Sequence, residues 1–93
     1  LAQYGKIEVE ITYCVPCSYQ GHAMWLGSEF YAALGNEVAI RLTPSDKGTL
    51  QIFFGGEKVY DKKEEDGVFP DVNKVKAMKA DLMRRVEDLV PVG

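Results

Sequence analysis

Four segments of this chain alternate apolar and polar side chains instead of running apolar throughout, and no other feature limits the fold as strongly. From Lys6 to Tyr13, the residues Ile7, Val9, Ile11 and Tyr13 interleave with Lys6, Glu8, Glu10 and Thr12. A period of two marks a strand with one buried and one solvated face. Asn36 to Thr43 repeats the pattern, with Val38, Ile40 and Leu42 expected inward and Glu37, Ala39, Arg41 and Thr43 outward. Thr49 to Gly55 places Leu50, Ile52 and Phe54 on one side, and Gly55-Gly56 signals a tight hairpin into a fourth strand over Glu57 to Lys62. Strands covered on both faces read as near-continuous apolar runs, so this sheet is expected to carry its helices on one face only.

Two helical stretches supply that cover. The first is predicted from about Pro16 to Leu34, ending at the cap signal Gly35-Asn36. The second is predicted over Asp71 to Leu89, with Pro70 at its entry and Pro91 just past its end. Val72, Val75, Met78, Leu82, Val86 and Leu89 fall on one stripe of it. Lys79 shares the stripe and is expected to extend its ammonium to the edge. The order is β-α-β-β-β-α. A first βα unit crosses over to a parallel strand, and an antiparallel hairpin follows. The expectation is an α/β, two-layer sandwich with a four-stranded mixed sheet and both helices on one face, equivalent to a reduced thioredoxin fold. Ninety-three residues hold one domain, residues 1–93.

A net charge of −3 argues against nucleic acid as the partner. The cations Lys74, Lys76, Lys79, Arg84 and Arg85 interleave with Asp71, Asp81, Glu87 and Asp88, as a solvated helix face would. No run approaches the roughly 18 apolar residues of a membrane span, and no secretory leader pattern opens the chain. The expected location is cytoplasmic, with no membrane partner.

The only cysteines are Cys14 and Cys17, in ITYCVPCSY, where the first strand hands over to the first helix. Three uses compete. As a redox pair, the sulfurs reach each other across the two-residue spacer, so a mixed disulfide can resolve within the molecule. On the predicted boundaries Cys17 lies in the first helical turn, where free N–H groups and the macrodipole favour a thiolate, and Pro16 occupies the first helical position. As a metal site, the pair lacks partners, since zinc usually takes four ligands and only His22 is at hand. As packing, two inert thiols at this junction form the third reading. Strand, C-x-x-C, helix is the context of a redox motif, and no metal or organic cofactor is expected.

Beyond the pair, Tyr13-Cys14-Val15-Pro16-Cys17 with Tyr19, the hairpin Phe53 to Tyr60, and Asp66-Gly67-Val68-Phe69-Pro70-Asp71 resemble the selenoprotein W-like (Rdx) family of thioredoxin-like proteins, as a C-x-x-C member. The resemblance implies a cytosolic thiol oxidoreductase in redox homeostasis or antioxidant defence. Its substrate would be a protein disulfide or a small thiol, with glutathione a candidate reductant by thiol exchange. Selenium-containing members carry selenium at the position of Cys17, which weights that residue. Ordinary thioredoxin reasoning instead makes Cys14 the exposed attacker and Cys17 its resolver, and that is the assignment expected here. The cis-proline that precedes the third strand in thioredoxins is replaced by Gly48-Thr49, and no glutathione-binding residues are recognisable.

Tyr13 and Pro16 are expected to support the pair. The charged run Asp61 to Asp66 reads as a solvated loop, with Gly67 turning it and Phe69 returning to the core near the motif. His22 reads as an exposed helix residue rather than a base. On the first helix, Tyr19, Ala23, Leu26, Phe30, Ala33 and Leu34 form the stripe expected to be buried. Met24, Trp25, Ser28, Tyr31 and Ala32 lie opposite, with Glu29 the only charge. An apolar outer side suggests cover, so Met24, Trp25 and Tyr31 are expected to form a surface for a protein partner or a second copy. The alternative function is therefore a redox-responsive binding module that docks through this helix.

Overall fold

The computed structural model describes residues 4–89, and Pro91 lies outside them. The chain forms β1 (Ile7–Cys14), α1 (Gln20–Leu34), a 3-10 turn (Gly35–Glu37), β2 (Val38–Ser45), β3 (Leu50–Phe54), β4 (Glu57–Asp61) and α2 (Val72–Leu89). The strands lie in the order β2-β1-β3-β4. β1 runs parallel to β2, with Ile7 opposite Val38, and antiparallel to β3, with Ile11 opposite Ile52. The β3–β4 hairpin turns at Gly55-Gly56, both at positive φ, and slips register between Ile52 and Phe53.

One face of the sheet carries the core. Val9, Ile11, Leu50, Ile52 and Phe54 meet Ala23, Leu26 and Phe30 of α1 and Val75, Met78, Leu82 and Val86 of α2. Phe30 and Phe54 stack edge to face at 5.4 Å, a geometry worth about 0.5–1.5 kcal/mol beyond area burial. On the other face Thr43 donates to Glu10 at 2.7 Å, and Arg41 stands 3.9 Å from Glu8. This α/β, thioredoxin-like two-layer arrangement is the one the alternation predicts.

The two helices are joined by an ion pair, Lys79 Nζ to Glu29 Oε1 at 2.8 Å, so the lysine of the apolar stripe does reach the edge. Asp71 caps α2 by accepting from the Lys74 N–H at 2.8 Å. Gly27 lets α1 lie close against the sheet. A Cβ there would lie 3.1 Å from Ile40 Cγ2, and Gly27 is buried although the apolar pattern does not mark it.

Several boundaries differ from expectation. α1 begins at Gln20 rather than Pro16, because Ser18 takes φ +61° and interrupts any helix through it. β2 begins two residues later than predicted, since Asn36 and Glu37 belong to the 3-10 turn. Val72 and Leu89 were expected on the buried stripe of α2 but are exposed, as terminal residues that overhang the sheet. Leu42 points to the helical side yet stays 37% exposed, because β2 is an edge strand and α1 covers only part of it.

Candidate functional site

β1 ends on Cys14, and the next five residues form a tight turn before α1 starts. Three backbone hydrogen bonds define that turn. Val15 N–H donates to Ser45 C=O at 2.9 Å, Ser18 N–H to Val15 C=O at 2.9 Å, and Tyr19 N–H to Cys14 C=O at 3.1 Å. The turn closes on a Cys14–Cys17 disulfide with Cα atoms 5.3 Å apart. Cys17 therefore lies three residues ahead of the helix, and Pro16 sits in the turn rather than at the first helical position. The thiolate argument that relies on the first helical turn does not apply at that location.

The two cysteines are unequally exposed. Cys14 is fully buried at 0% exposure, whereas Cys17 is exposed. This reverses the expectation that Cys14 is the sulfur open to solvent. The reason is positional: Cys14 is the last residue of a central strand and pairs with Ser45 of β2, while Cys17 rides on the turn outside the sheet.

Tyr13 is half-buried against the core, opposite Leu50. The loop after β4 folds back toward the turn. Its start is fixed by Asp61, which accepts from Gln51 at 3.0 Å, Lys58 at 3.1 Å and the Lys63 N–H at 3.0 Å. The Gln51 hydrogen bond, followed by those from Lys58 and Lys63, holds the Asp61 carboxyl below its ordinary range against the opposing effect of burial. Gly67 takes φ +73° and donates to Lys62 C=O at 2.9 Å, the turn expected of it. Tyr60 Oη then donates to Val68 C=O, and Phe69 is delivered to α1.

Phe69 meets a group of side chains that the sequence pattern does not bring together. Its ring stacks on His22 at 3.8 Å and 8°, and takes the edge of Tyr19 at 4.9 Å. Lys62 Nζ stands over both rings, 5.4 Å from Tyr19 and 5.0 Å from Phe69. Tyr19 and His22 are three apart at the start of α1, a spacing that places them side by side and was the available signal. The stack occupies one face of the His22 ring. Among the described residues, no group of three or more His, Cys, Asp or Glu side chains gathers in metal-binding geometry.

The three residues expected to form a partner surface are all exposed, and two of them share a groove. Met24 and Tyr31 line a groove of about 340 Å³ with Gly27, Ser28, Ile40 and Leu42. Trp25, 39% exposed, lies outside that groove. A hollow of about 430 Å³ at the other end of the sheet, lined by Ile7, Phe54 and Arg85 among others, is remote from the disulfide.

Comparison with known proteins gives a consistent account. The model of the Rdx family matches residues 8–80. No curated protein matches. The crystal structure of a selenoprotein W-related protein from Vibrio cholerae aligns with a TM-score of 0.76 at 28% identity, covering 88% of this chain and 99% of that one. A crystal structure from Bordetella parapertussis aligns with a TM-score of 0.70 at 27% identity, covering 90% and 98%.

Proposed function

The chain belongs to the Rdx family, with a thioredoxin-like fold and a C-x-x-C pair that support a redox role in general, and from that premise we infer that it is a small thiol–disulfide oxidoreductase cycling Cys14 and Cys17. The observation that carries the reading is the pairing of one buried and one exposed cysteine in a single turn.

In the reduced protein the Cys17 thiolate attacks a substrate disulfide, forming a mixed disulfide and expelling one substrate thiolate, which takes up a proton. Cys14, deprotonated in turn, attacks Cys17 Sγ. The Cys14–Cys17 bond forms, the mixed bond breaks, and the second substrate thiolate leaves and is protonated. Two electrons have passed to the substrate, and two external thiols such as glutathione return them. The first attacks Cys17 Sγ and frees Cys14, the second attacks the sulfur of the first and frees Cys17, and the two leave as their own disulfide. Accessibility supports this order over attack by Cys14, because a bulky disulfide cannot approach a sulfur with no exposed surface. A cytosolic setting, where thiol pools are reducing, suits the cycle.

The test is a trapping experiment with an oxidised, cystine-bridged peptide. Reduced Cys14→Ser should accumulate a mixed disulfide at Cys17 in the mass spectrum, Cys17→Ser should accumulate little, and wild type should turn over when coupled to a thiol reductant. Failure of reduced wild type to reduce the peptide, with no adduct on Cys14→Ser, would sink the reading. The exposed Met24, Trp25 and Tyr31 favour a second one, a redox-responsive binding module. It predicts a single stoichiometric oxidation without turnover.

A further inference from the structure

β2 is bonded on one side only, to β1, and among the described residues no strand lies along its outer edge. An unpaired edge presents a row of backbone donors and acceptors that a further strand can satisfy, except at Pro44 near the strand's end, which has no N–H to donate. The side chains flanking this edge differ from one face to the other. On the helical face Ile40 and Leu42 form the floor of the groove whose far wall is Met24 and Tyr31, exposed by 61% and 49%. On the open face stands Arg41, the only charge in Val38–Ser45, with a side chain 61% exposed. Its ion-pair partner Glu8 is 3.9 Å away, at the outer limit of such a pair, and Glu10, opposite it in the register, accepts from Thr43 instead.

The geometry points to this edge as a docking site for an extended segment of a partner protein in which an acidic residue stands between two apolar ones. Added alongside β2, such a segment sends its alternate side chains to opposite faces. The apolar pair enters the groove beside Leu42 and Ile40, and the carboxylate between them meets Arg41. A second copy of this chain matches less well. The antiparallel self-pairings that use most of β2 are centred on Arg41 or on Leu42. They set Arg41 against the same arginine or against Thr43 of the other copy, and neither offers a carboxylate. The site is separate from the redox cycle and does not depend on it.

The experiment titrates the full chain, labelled with 15N, with an eight-residue peptide of threonine carrying a central Ile-Glu-Val. Shifts are expected at the amides of β2 and the groove side of α1, together with slowed exchange along β2. Replacing the central glutamate by lysine should weaken binding about two- to fivefold, and Arg41→Glu should invert that preference, as cross-strand charge pairs do. N-methylation of the peptide backbone should abolish binding. No shifts at peptide concentrations on the order of 1 mM, a weak-binding regime, or shifts confined to other surfaces, overturns the proposal. So does binding that ignores the charge swap. Sedimentation as a dimer with β2 amides already protected would assign the edge to a second copy instead.

Discussion

The two flanks of this sheet bury the same core and are finished differently on the outside. On one flank, α2 and β4 are dressed in charge. Arg85 pairs with Glu57 at 3.1 Å and Asp81 at 2.8 Å, Lys58 bridges Asp61 and Glu64, and a register slip bends the hairpin. These are devices by which an edge strand is kept from pairing with other chains. On the other flank, β2 carries one arginine and, near its end, Pro44, and α1 carries Glu29 as its only formal charge. Met24, Tyr31 and Leu42 stay exposed there. Exposed apolar side chains occur on both flanks, Val72, Met83 and Leu89 of α2 among them, but those on α1 and β2 stand beside few charges. The same chain that covers β4 with ion pairs leaves β2 and its groove open.

Mutations can break or sharpen this contrast. Phe30 is shared by both flanks through Phe54, so Phe30→Ala should lower unfolding free energy by about 3–5 kcal/mol in a denaturant titration. Equal loosening of the amides on both flanks would show one core; loss restricted to α1 and β2 would break that view. Gly27 is specific to the bare flank. Gly27→Val must push α1 off Ile40, and about 1–3 kcal/mol of destabilisation is expected, read from the denaturation midpoint.

Asp61 is specific to the dressed flank. Its carboxyl sits below the ordinary value of 3.8, so its contribution is full above that pH and is lost as pH falls through the lower folded value. Asp61→Asn should destabilise by about 1 kcal/mol at neutral pH, and the gap from wild type should close on acidification below 3.8. A gap that persists in acid would mean that shape rather than charge holds the loop. Gly21 faces open space within α1, and Gly21→Ala should raise stability by up to ~1 kcal/mol. That gain, measured as a thermal midpoint, calibrates how much of the α1 flank is helix propensity alone.

The alternation of Lys6 to Tyr13 and the hairpin glycines made the sheet legible, because burial of one face leaves a period-two record in the residues themselves. The helix start was not legible. Proline inside the C-x-x-C spacer reads as a helix entry, but the interruption depends on the φ of Ser18, and serine carries no mark of that conformation. The pair Cys14 and Cys17 was visible from spacing. Their unequal burial was not, since it depends on which residue closes the central strand. The meeting of His22, Phe69 and Lys62 joins residues up to 47 positions apart in the numbering and leaves no local pattern. Gly27 was missed for a related reason: it is buried for what it lacks, and apolar periodicity counts only what is present.

Ser18 has one more consequence. By stopping the helix short of Cys17, it separates the two sulfurs mechanically: Cys14 belongs to the rigid sheet, and Cys17 to a five-residue strap anchored at both ends. In the proposed cycle the sheet would serve as a fixed jaw and the strap as a moving one. Opening the bridge would then require no unwinding of α1 and no shearing of β1 from β2, because neither element contains Cys17. The sulfur held by the sheet would stay within reach for the return stroke.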